Sequence, residues 1–179
     1  MNKSVDFFYQ NLWIIILVIF FAACNKPRKQ KPIFDLNTPG GEVMASYNDS
    51  TPQIVFYYKV DNKGIPTKEK IGEAYFRANK QEYMGGGIKD GKRDGKWYAF
   101  FEDGSVQTEI SYSDGIVHGV YNIIRENGKP LIKGHYDHGI CDGTWYWYDE
   151  NGKQTKKIKA DKNTIACEYC PKCLKLKQK

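Results

Sequence analysis

The chain has 179 residues, of which 41% are hydrophobic and 15% aromatic, and it carries a formal net charge of +6. This length is enough for one domain with a packed core and short for two. The positive charge lies at the two ends: residues 153–179 hold nine lysines against Asp161 and Glu168, whereas residues 33–152 are mildly acidic. A nucleic-acid-binding protein would place its positive charge on the folded surface, so we expect no nucleic-acid partner.

The N-terminal segment begins with polar residues and continues into an apolar run over residues 12–23. A run of this length is too short for a membrane-spanning helix, which needs about 20 residues, and is typical of a signal peptide. Residues 21–24, Phe-Ala-Ala-Cys, resemble a bacterial lipobox, although Phe21 stands where leucine is common. The sequence therefore predicts a signal peptide over residues 1–23 and lipidation of Cys24. An ordinary signal peptide or an uncleaved anchor is the alternative.

Residues 24–51 form a predicted tether and spacer. Residues 25–32 contain two prolines and four positive charges, a composition that favours an extended chain. These charges are either solvated or attracted to an anionic lipid surface, where each would contribute about 1 kcal/mol of binding free energy. We expect the protein in the bacterial cell envelope. Asn25 directly after the cysteine favours the outer membrane, and the basic stretch favours the side that faces the periplasm. Residues 33–51 are rich in turn formers, and we expect a spacer able to dock on the fold.

Residues 90–159 repeat themselves at a constant interval. Three glycine columns and one aromatic column share this spacing: Gly91, Gly115 and Gly139; Gly95, Gly119 and Gly143; Gly104, Gly128 and Gly152; and Trp97, Tyr121 and Trp145. A fixed period of this size indicates stacked repeats. The copies span residues 90–113, 114–137 and 138–159, and a degenerate copy covers residues 66–89.

Each repeat has the pattern of one β-hairpin. Alternating aromatic residues precede Asp103-Gly104, a pair that suits a two-residue turn with positive φ at both positions. A second loop, such as Asp114-Gly115, leads to the next hairpin. Upstream, residues 53–60, 68–77 and 81–88 are predicted strands, and the glycines at 85–87 indicate a bulge or a close backbone approach because no phosphate-loop pattern surrounds them.

We therefore predict an all-β fold, an elongated antiparallel meander of 24-residue β-hairpin repeats over residues 52–159. The termini, including the Lys/Cys-rich tail at 160–179, are expected to be disordered or weakly ordered. Aromatic side chains would form ladders on both faces of such a sheet. Most of these aromatics should belong to the core, but tyrosine and tryptophan also suit a binding face because they carry a polar group. The candidate binding residues are Trp97, Tyr121, Trp145, Trp147 and Tyr148.

The recurring frame DGxxxGxWxxYxxNGxxxxxGxY resembles the MORN-repeat-variant proteins, whose bacterial members are often labelled YwqK-type antitoxins. The residues that carry the resemblance are Gly91, Gly95, Trp97, Gly104, Tyr112, Gly119, Asn127, Gly128, Gly134, Tyr136, Gly143, Trp145, Tyr148, Asn151 and Gly152. The resemblance covers the three clear copies and extends weakly upstream. It implies a non-catalytic repeat protein, and the antitoxin label implies the binding and neutralisation of a protein toxin.

The cysteines are the strongest chemical feature outside the repeats. Cys167, Cys170 and Cys173 have the spacing of half a zinc knuckle, and Cys141 could supply a fourth ligand. Structural disulfides are favoured over this metal site in an exported chain, and a redox role for the cysteine pair is a third alternative. We expect no cofactor.

The histidines suggest no site from sequence alone. His135, Asp137 and His138 look like a metal-binding fragment, but His138 stands where Asp90 and Asp114 stand, at a turn position that tolerates positive φ. The pattern contains no catalytic triad, nucleophile elbow or carboxylate pair, so we expect that the protein is not an enzyme.

Three functions remain as hypotheses. The favoured one is a membrane-anchored, non-catalytic β-repeat lipoprotein that binds or scaffolds a protein or an envelope component along its sheet. The second is a toxin-neutralising antitoxin or immunity protein, and the third is a thiol or zinc protein that acts through its tail. The open edges of a long sheet also favour a homodimer formed by edge pairing.

Overall fold

The computed structural model of the protein describes residues 29–160, which form one antiparallel sheet of ten strands. The strands pair in chain order, so the predicted all-β meander is confirmed. Their bounds are β1 Gly41–Ser46, β2 Pro52–Val60, β3 Pro66–Phe76, β4 Glu82–Lys89, β5 Lys92–Phe100, β6 Val106–Ser113, β7 Ile116–Ile124, β8 Pro130–Asp137, β9 Ile140–Tyr148 and β10 Gln154–Lys159. The segments predicted as a signal peptide and as a tail lie outside the described residues.

The two loops of each repeat use different turns. The connectors Asp90-Gly91, Asp114-Gly115 and His138-Gly139 have positive φ at both residues, as a two-residue type I′ turn requires. In the hairpin turn at residues 101–105, by contrast, only Gly104 has positive φ. The Gly104 N–H donates to the Phe101 carbonyl at 3.1 Å, and the Phe101 N–H donates to the Ser105 carbonyl at 2.9 Å.

The prediction of positive φ at both Asp103 and Gly104 is therefore wrong. This loop is a three-residue type I turn that ends in a left-handed glycine. The physical reason is the Asp103 carboxylate, which accepts a hydrogen bond from the Ser105 N–H at 2.8 Å. This bond closes an Asx turn, which fixes the backbone of Asp103. Asn127 accepts from the Lys129 N–H in the same way, at 3.0 Å.

A bulge recurs once per repeat beside the second loop. In β7 the chain takes four steps, from Val117 to Tyr121, where its partner β6 takes two, from Tyr112 to Ile110. The same mismatch occurs between β4 and β5 and between β8 and β9. The bulges contain Gly95, Gly119 and Gly143, each with positive φ and each preceded by Asp94, His118 or Asp142. Bulges of this kind turn side chains away from the regular ladder.

The N-terminal part of the described chain contains an element that the sequence did not predict. β1 lies within the predicted spacer and pairs with β2 from Gly41↔Tyr57 to Ser46↔Pro52. Just before β1, the Phe34 ring stacks on the Tyr57 ring with centroids 4.7 Å apart, and the Tyr57 hydroxyl donates to the Asp35 carbonyl at 2.8 Å. The spacer therefore packs on the sheet and also extends it by one strand.

The predicted upstream strands are present as β2, β3 and β4. The turn between β3 and β4 repeats the hydrogen bonds of the later hairpins, with the Arg77 N–H donating to the Gln81 carbonyl and the Lys80 N–H to the Arg77 carbonyl. This turn lies one repeat period before the turn at residues 101–105, so the hairpin turn of the degenerate copy at 66–89 has the same hydrogen bonds as the later ones. Its left-handed residue is Lys80 rather than glycine.

The core lies on both faces of the sheet. The face that carries Trp97, Tyr121, Trp145 and Trp147 is called the Trp face, and the opposite face, which carries Tyr57, Tyr98, Tyr146 and Tyr148, is called the Tyr face. On the Tyr face, the buried residues come from the first strands: Phe34, Val55, Tyr57, Ala74, Phe76, Tyr98, Phe100 and Val106. On the Trp face, a cluster from the last strands contains Ile132, Tyr136, Trp145 and Trp147. The core thus changes face along the sheet.

The glycines at 85–87 show the predicted bulge and close approach. The register shifts between Gly86 and Ile88, and a Cβ atom at Gly86 would overlap the Trp97 indole. Gly134 stands at the same position two repeat periods later, and a Cβ there would overlap the Trp145 indole. Each of these tryptophans therefore lies over a glycine of a neighbouring strand.

Glu82 is a buried acid on the Tyr face. Its side chain lies over Gly85, where any Cβ would overlap the Glu82 carboxyl group. Burial, with a smaller contribution from the negative charge of Asp35, raises the pKa of Glu82 to about 8. The acid is thus protonated in the folded protein at neutral pH.

We predict that Gly86→Ala destabilises the protein by about 1–3 kcal/mol, because the added methyl group overlaps the Trp97 ring. Urea unfolding followed by circular dichroism measures the change. The matched background is Trp97→Tyr, since Tyr121 fills the same column beside Ile110. In that background Gly86→Ala should cost less, and an equal cost in both backgrounds would show that the indole is not the obstacle.

We predict that Glu82→Gln removes a pH dependence of stability. Because the folded state binds the Glu82 proton more tightly than the unfolded state, wild-type stability is highest below pH 4.5 and falls as the pH rises to about 8. The loss is on the order of 5 kcal/mol at most. Urea unfolding at pH 5, 7 and 9 measures it, with Glu102→Gln in an exposed turn as the control. Parallel profiles for the wild type and Glu82→Gln would refute this assignment.

Candidate functional site

Three of the five candidate binding residues are packed in the core of the Trp face. Trp97, Trp145 and Trp147 are 3%, 2% and 8% exposed. The Trp145 ring meets Tyr136 edge-on at 5.0 Å between centroids and lies 6.4 Å from Trp147. Burial of such large rings contributes most of the hydrophobic stabilisation at this end of the sheet. These side chains present little surface to a partner in this state of the protein.

Trp97 is fixed by polar as well as apolar contacts. Its indole N–H donates to the Gly87 carbonyl at 2.9 Å. The Arg93 guanidinium lies 4.0 Å from the centre of the ring, and the Tyr112 ring meets it edge-on at 6.2 Å. A cation stacked on tryptophan is favourable where the pair is shielded from water. The ring thus has a structural role in the repeat.

The other two candidates are half-buried, and they lie on opposite faces. Tyr121 belongs to the Trp face and packs against Trp145, with ring centroids 5.5 Å apart. Tyr148 belongs to the Tyr face, where the Lys133 ammonium lies 5.8 Å from the centre of its ring. Tyr146, which is not among the five candidates, has the same environment beside Lys157, also at 5.8 Å.

The Tyr face of β8–β10 thus combines half-buried tyrosines with exposed lysines. We call this surface the Tyr–Lys patch, and define it by Lys133, Tyr146, Tyr148, Lys157 and Lys159. An amphipathic aromatic residue flanked by cations is suited to bind an acidic surface that also presents apolar groups. The patch was hard to find from sequence because Lys133 lies in β8, whereas Lys157 and Lys159 lie in β10.

A buried carboxylate supports the same face next to the patch. Glu109 is 4% exposed and accepts hydrogen bonds from the Lys96 ammonium at 2.9 Å, the Tyr98 hydroxyl at 3.4 Å and the Asn122 amide at 3.3 Å. The hydrogen bond from Lys96 to Glu109, together with the charge of that carboxylate, raises the pKa of Lys96. These contacts join three neighbouring strands, so the face is held by polar bonds where the apolar core has moved to the other side.

The thiol chemistry expected for the tail involves one described residue. Cys141 is disulfide-bonded, and a sulfur held in a disulfide offers no thiolate to a metal ion. Cys24, Cys167, Cys170 and Cys173 lie outside the described residues, as do the predicted signal peptide and lipidation site. Within residues 29–160, no helix is both long enough and apolar enough to cross a membrane.

The histidines come together in a way that the sequence did not indicate. His118 in the bulge of β7 lies beside Asp137 at the end of β8 and His138 in the turn that follows, with the His118 and His138 ring centroids 4.6 Å apart. These two histidines are 20 residues apart in the chain, and the pairing of β7 with β8 within one hairpin brings them together. The repeat register was the one available signal, since His118 and His138 occupy the columns of Asp94 and Asp114.

Comparison with known families agrees with this geometry. Residues 93–114 and 142–157 match the family model for the MORN repeat variant. The first match covers most of the hairpin β5–β6, and the second covers most of the hairpin β9–β10. No curated protein matches the chain. Since both matched segments fold as the same hairpin in one repeating frame, the chain carries repeats of the MORN repeat variant family.

Proposed function

We propose that this protein is a non-catalytic β-repeat module, held at a membrane of the cell envelope by a lipid on Cys24, that binds an acidic protein partner through the Tyr–Lys patch. The observation that supports this function best is the unequal use of the two faces at β8–β10. The tryptophans of the Trp face are buried, whereas Lys133 and Lys157 are exposed beside half-buried tyrosines on the Tyr face. Repeat proteins commonly bind along such an extended surface.

The chemistry of the patch favours one kind of partner. Lys133, Lys157 and Lys159 are exposed on one face. Each tyrosine of the patch offers a partner an apolar ring that also carries a hydroxyl group for hydrogen bonding. An acidic protein surface complements these charges and would associate faster at low ionic strength. A neutral or basic partner would gain nothing from the lysines.

The two edges of the sheet differ in their capacity to pair with a second copy. β10 carries Lys153 at its entry and Lys156, Lys157 and Lys159 along its length, and a lysine-rich edge discourages pairing. β1 exposes Val43 and Met44, at 50% and 49%. Edge pairing through β1 is therefore the form of homodimer that we propose, and it leaves the Tyr–Lys patch free.

We predict that a photo-crosslinking amino acid in place of Tyr146 captures one defined protein in cells that produce the full chain. The same amino acid in place of Tyr121, on the Trp face, is the positional control and should not capture it. Mass spectrometry identifies the captured species: an acidic envelope protein supports the favoured function, and a toxin supports its toxin-neutralising form. A second copy of this chain as the sole product, or equal capture from both positions, would contradict the proposal.

A pair of charge reversals tests the patch on the isolated complex. Lys133→Glu with Lys157→Glu should weaken binding by about tenfold or more, whereas Lys153→Glu with Lys156→Glu makes the same change in net charge outside the patch. Thermal melting of both double variants checks that the fold is intact. Equal losses would show that the effect is one of net charge alone.

We predict that Cys24→Ser moves the protein from the membrane fraction to the soluble fraction, because the thiol that carries the lipid is lost. Asn25→Ser, at the next position, keeps the cysteine and should leave the protein in the membrane fraction. Mass spectrometry of the mature N-terminus should find an acylated cysteine. An N-terminus that still contains residues 1–23, or a wild-type protein that is soluble, would refute lipidation.

A further inference from the structure

All three histidines of the chain lie close together, where β7 begins and β8 ends. His118 is in the bulge of β7, His135 is in β8, and His138 is in the turn between β8 and β9. Ring centroids of His118 lie 4.6 Å from His138 and 6.3 Å from His135. Asp137 lies among them, and we call these four residues the histidine cluster.

The donor atoms of the cluster converge. Asp137 Oδ1 is 2.6 Å from His138 Nδ1 and 3.5 Å from His118 Nδ1. His118, Asp137 and His138 can each direct one ligand atom so that all three atoms lie within 4.8 Å of one another. His118 and Asp137 are half-buried and His138 is exposed, so the cluster is open to solvent.

The fold does not need histidine at these positions. One repeat earlier, the Asp114 N–H donates to Asp94 Oδ1 at 3.4 Å. In the cluster, the His138 N–H donates to His118 Nδ1 at 3.3 Å, which is the same contact with imidazole in place of carboxylate. Asp114 and His138 also share the left-handed turn conformation, with φ of 51° and 47°.

This internal comparison separates a structural role from a chemical one. Aspartate alone makes the turn and its hydrogen bond in the earlier copy, so two histidines add nothing that the turn requires. Ser113 in the earlier copy also becomes Asp137 in the cluster, which adds a carboxylate between the two rings. Three changes, two in the copy at 114–137 and one in the copy at 138–159, thus place two imidazoles and a carboxylate where the preceding copies have two aspartates and a serine.

Imidazole and carboxylate together favour a particular class of ion. Calcium and magnesium prefer sites made of oxygen ligands alone, whereas imidazole suits zinc, copper and nickel. Zinc binds histidine nitrogen at about 2.0–2.1 Å and carboxylate oxygen at about 2.0–2.2 Å, so tetrahedral ligands lie about 3.3 Å apart. Rotation of the exposed His138 side chain can bring its ligand atom to this distance: the 2.6 Å between His138 Nδ1 and Asp137 Oδ1 must lengthen, and separations of up to 4.8 Å within the set must shorten.

We propose that His118, Asp137 and His138 form a binding site for a divalent transition-metal ion of the zinc type, with His135 or water as the fourth ligand. His135 is positioned for this by Asp142, whose Oδ2 lies 3.5 Å from His135 Nδ1. A carboxylate behind a histidine fixes the ring orientation and increases the basicity of the ligand. This site is independent of the Tyr–Lys patch and of the cysteines.

The test measures Zn²⁺ binding to the full-length protein by titration calorimetry, after alkylation of every free thiol so that no cysteine can bind the ion. The test variant is His118→Asn with His138→Asn, because asparagine keeps a hydrogen-bond acceptor at 118 and tolerates the turn at 138. The matched control is Asp94→Asn with Asp114→Asn, the same positions one repeat earlier. Thermal melting without metal checks that all forms are folded.

The wild type and the control should bind one Zn²⁺ per chain, and the test variant should lose about tenfold or more in affinity for each ligand removed. Mg²⁺ in place of Zn²⁺ should give no heat of binding. The C2 and C4 proton signals of the histidine rings should shift with Zn²⁺ in the wild type. Equal Zn²⁺ affinity in the wild type and the test variant, or no Zn²⁺ binding by the folded wild type, would overturn the proposal.

Discussion

The structure depends on the pairing of a large ring with a glycine on the neighbouring strand. A single sheet has no second layer to supply a core, so its buried surface must come from side chains that lie flat across their own neighbours. Trp97 can do so because Gly86 has no side chain, and Trp145 lies over Gly134 in the same way. In the repeat between them, Tyr121 stands in place of tryptophan and Ile110 in place of glycine, so the ring is smaller. Close packing of this kind allows little change in volume.

The same constraint explains why the core changes face along the sheet. In the first strands the Tyr face is covered by the chain itself, since Phe34 stacks on Tyr57 and occupies the space above Gly72. That segment reaches as far as the bridge between Lys29 and Ser105, next to β6. Further along, the large rings gather on the Trp face. The polar network around Glu109 lies where the apolar core of the Tyr face ends.

Much of this fold could be predicted from sequence because the repeat makes local signals agree. The period placed the strands, and the glycine columns placed both kinds of loop. Turn type was harder, since Asp-Gly at 103–104 and at 114–115 look the same in the sequence. The difference lies in the hydrogen bond from the Ser105 N–H to Asp103. β1 was missed because its exposed side chains show no alternation, and within residues 29–160 it pairs with β2 alone.

The candidate site was harder to predict, for a physical reason. A period-two pattern tells which residues share a face, but it does not tell which face is covered. Trp97 and Trp147 had the composition of a binding surface, and only the packed structure shows them 3% and 8% exposed. Contacts between the two ends of a hairpin are also absent from a local pattern. His118 and His138 meet because a bulge and a turn from successive copies are adjacent, with the Gly139 N–H donating to the Val117 carbonyl at 2.8 Å. The bulge and the turn are the positions where the repeat tolerates either aspartate or histidine, so new chemistry can enter there without disturbing the tryptophan–glycine pairs that hold the sheet together.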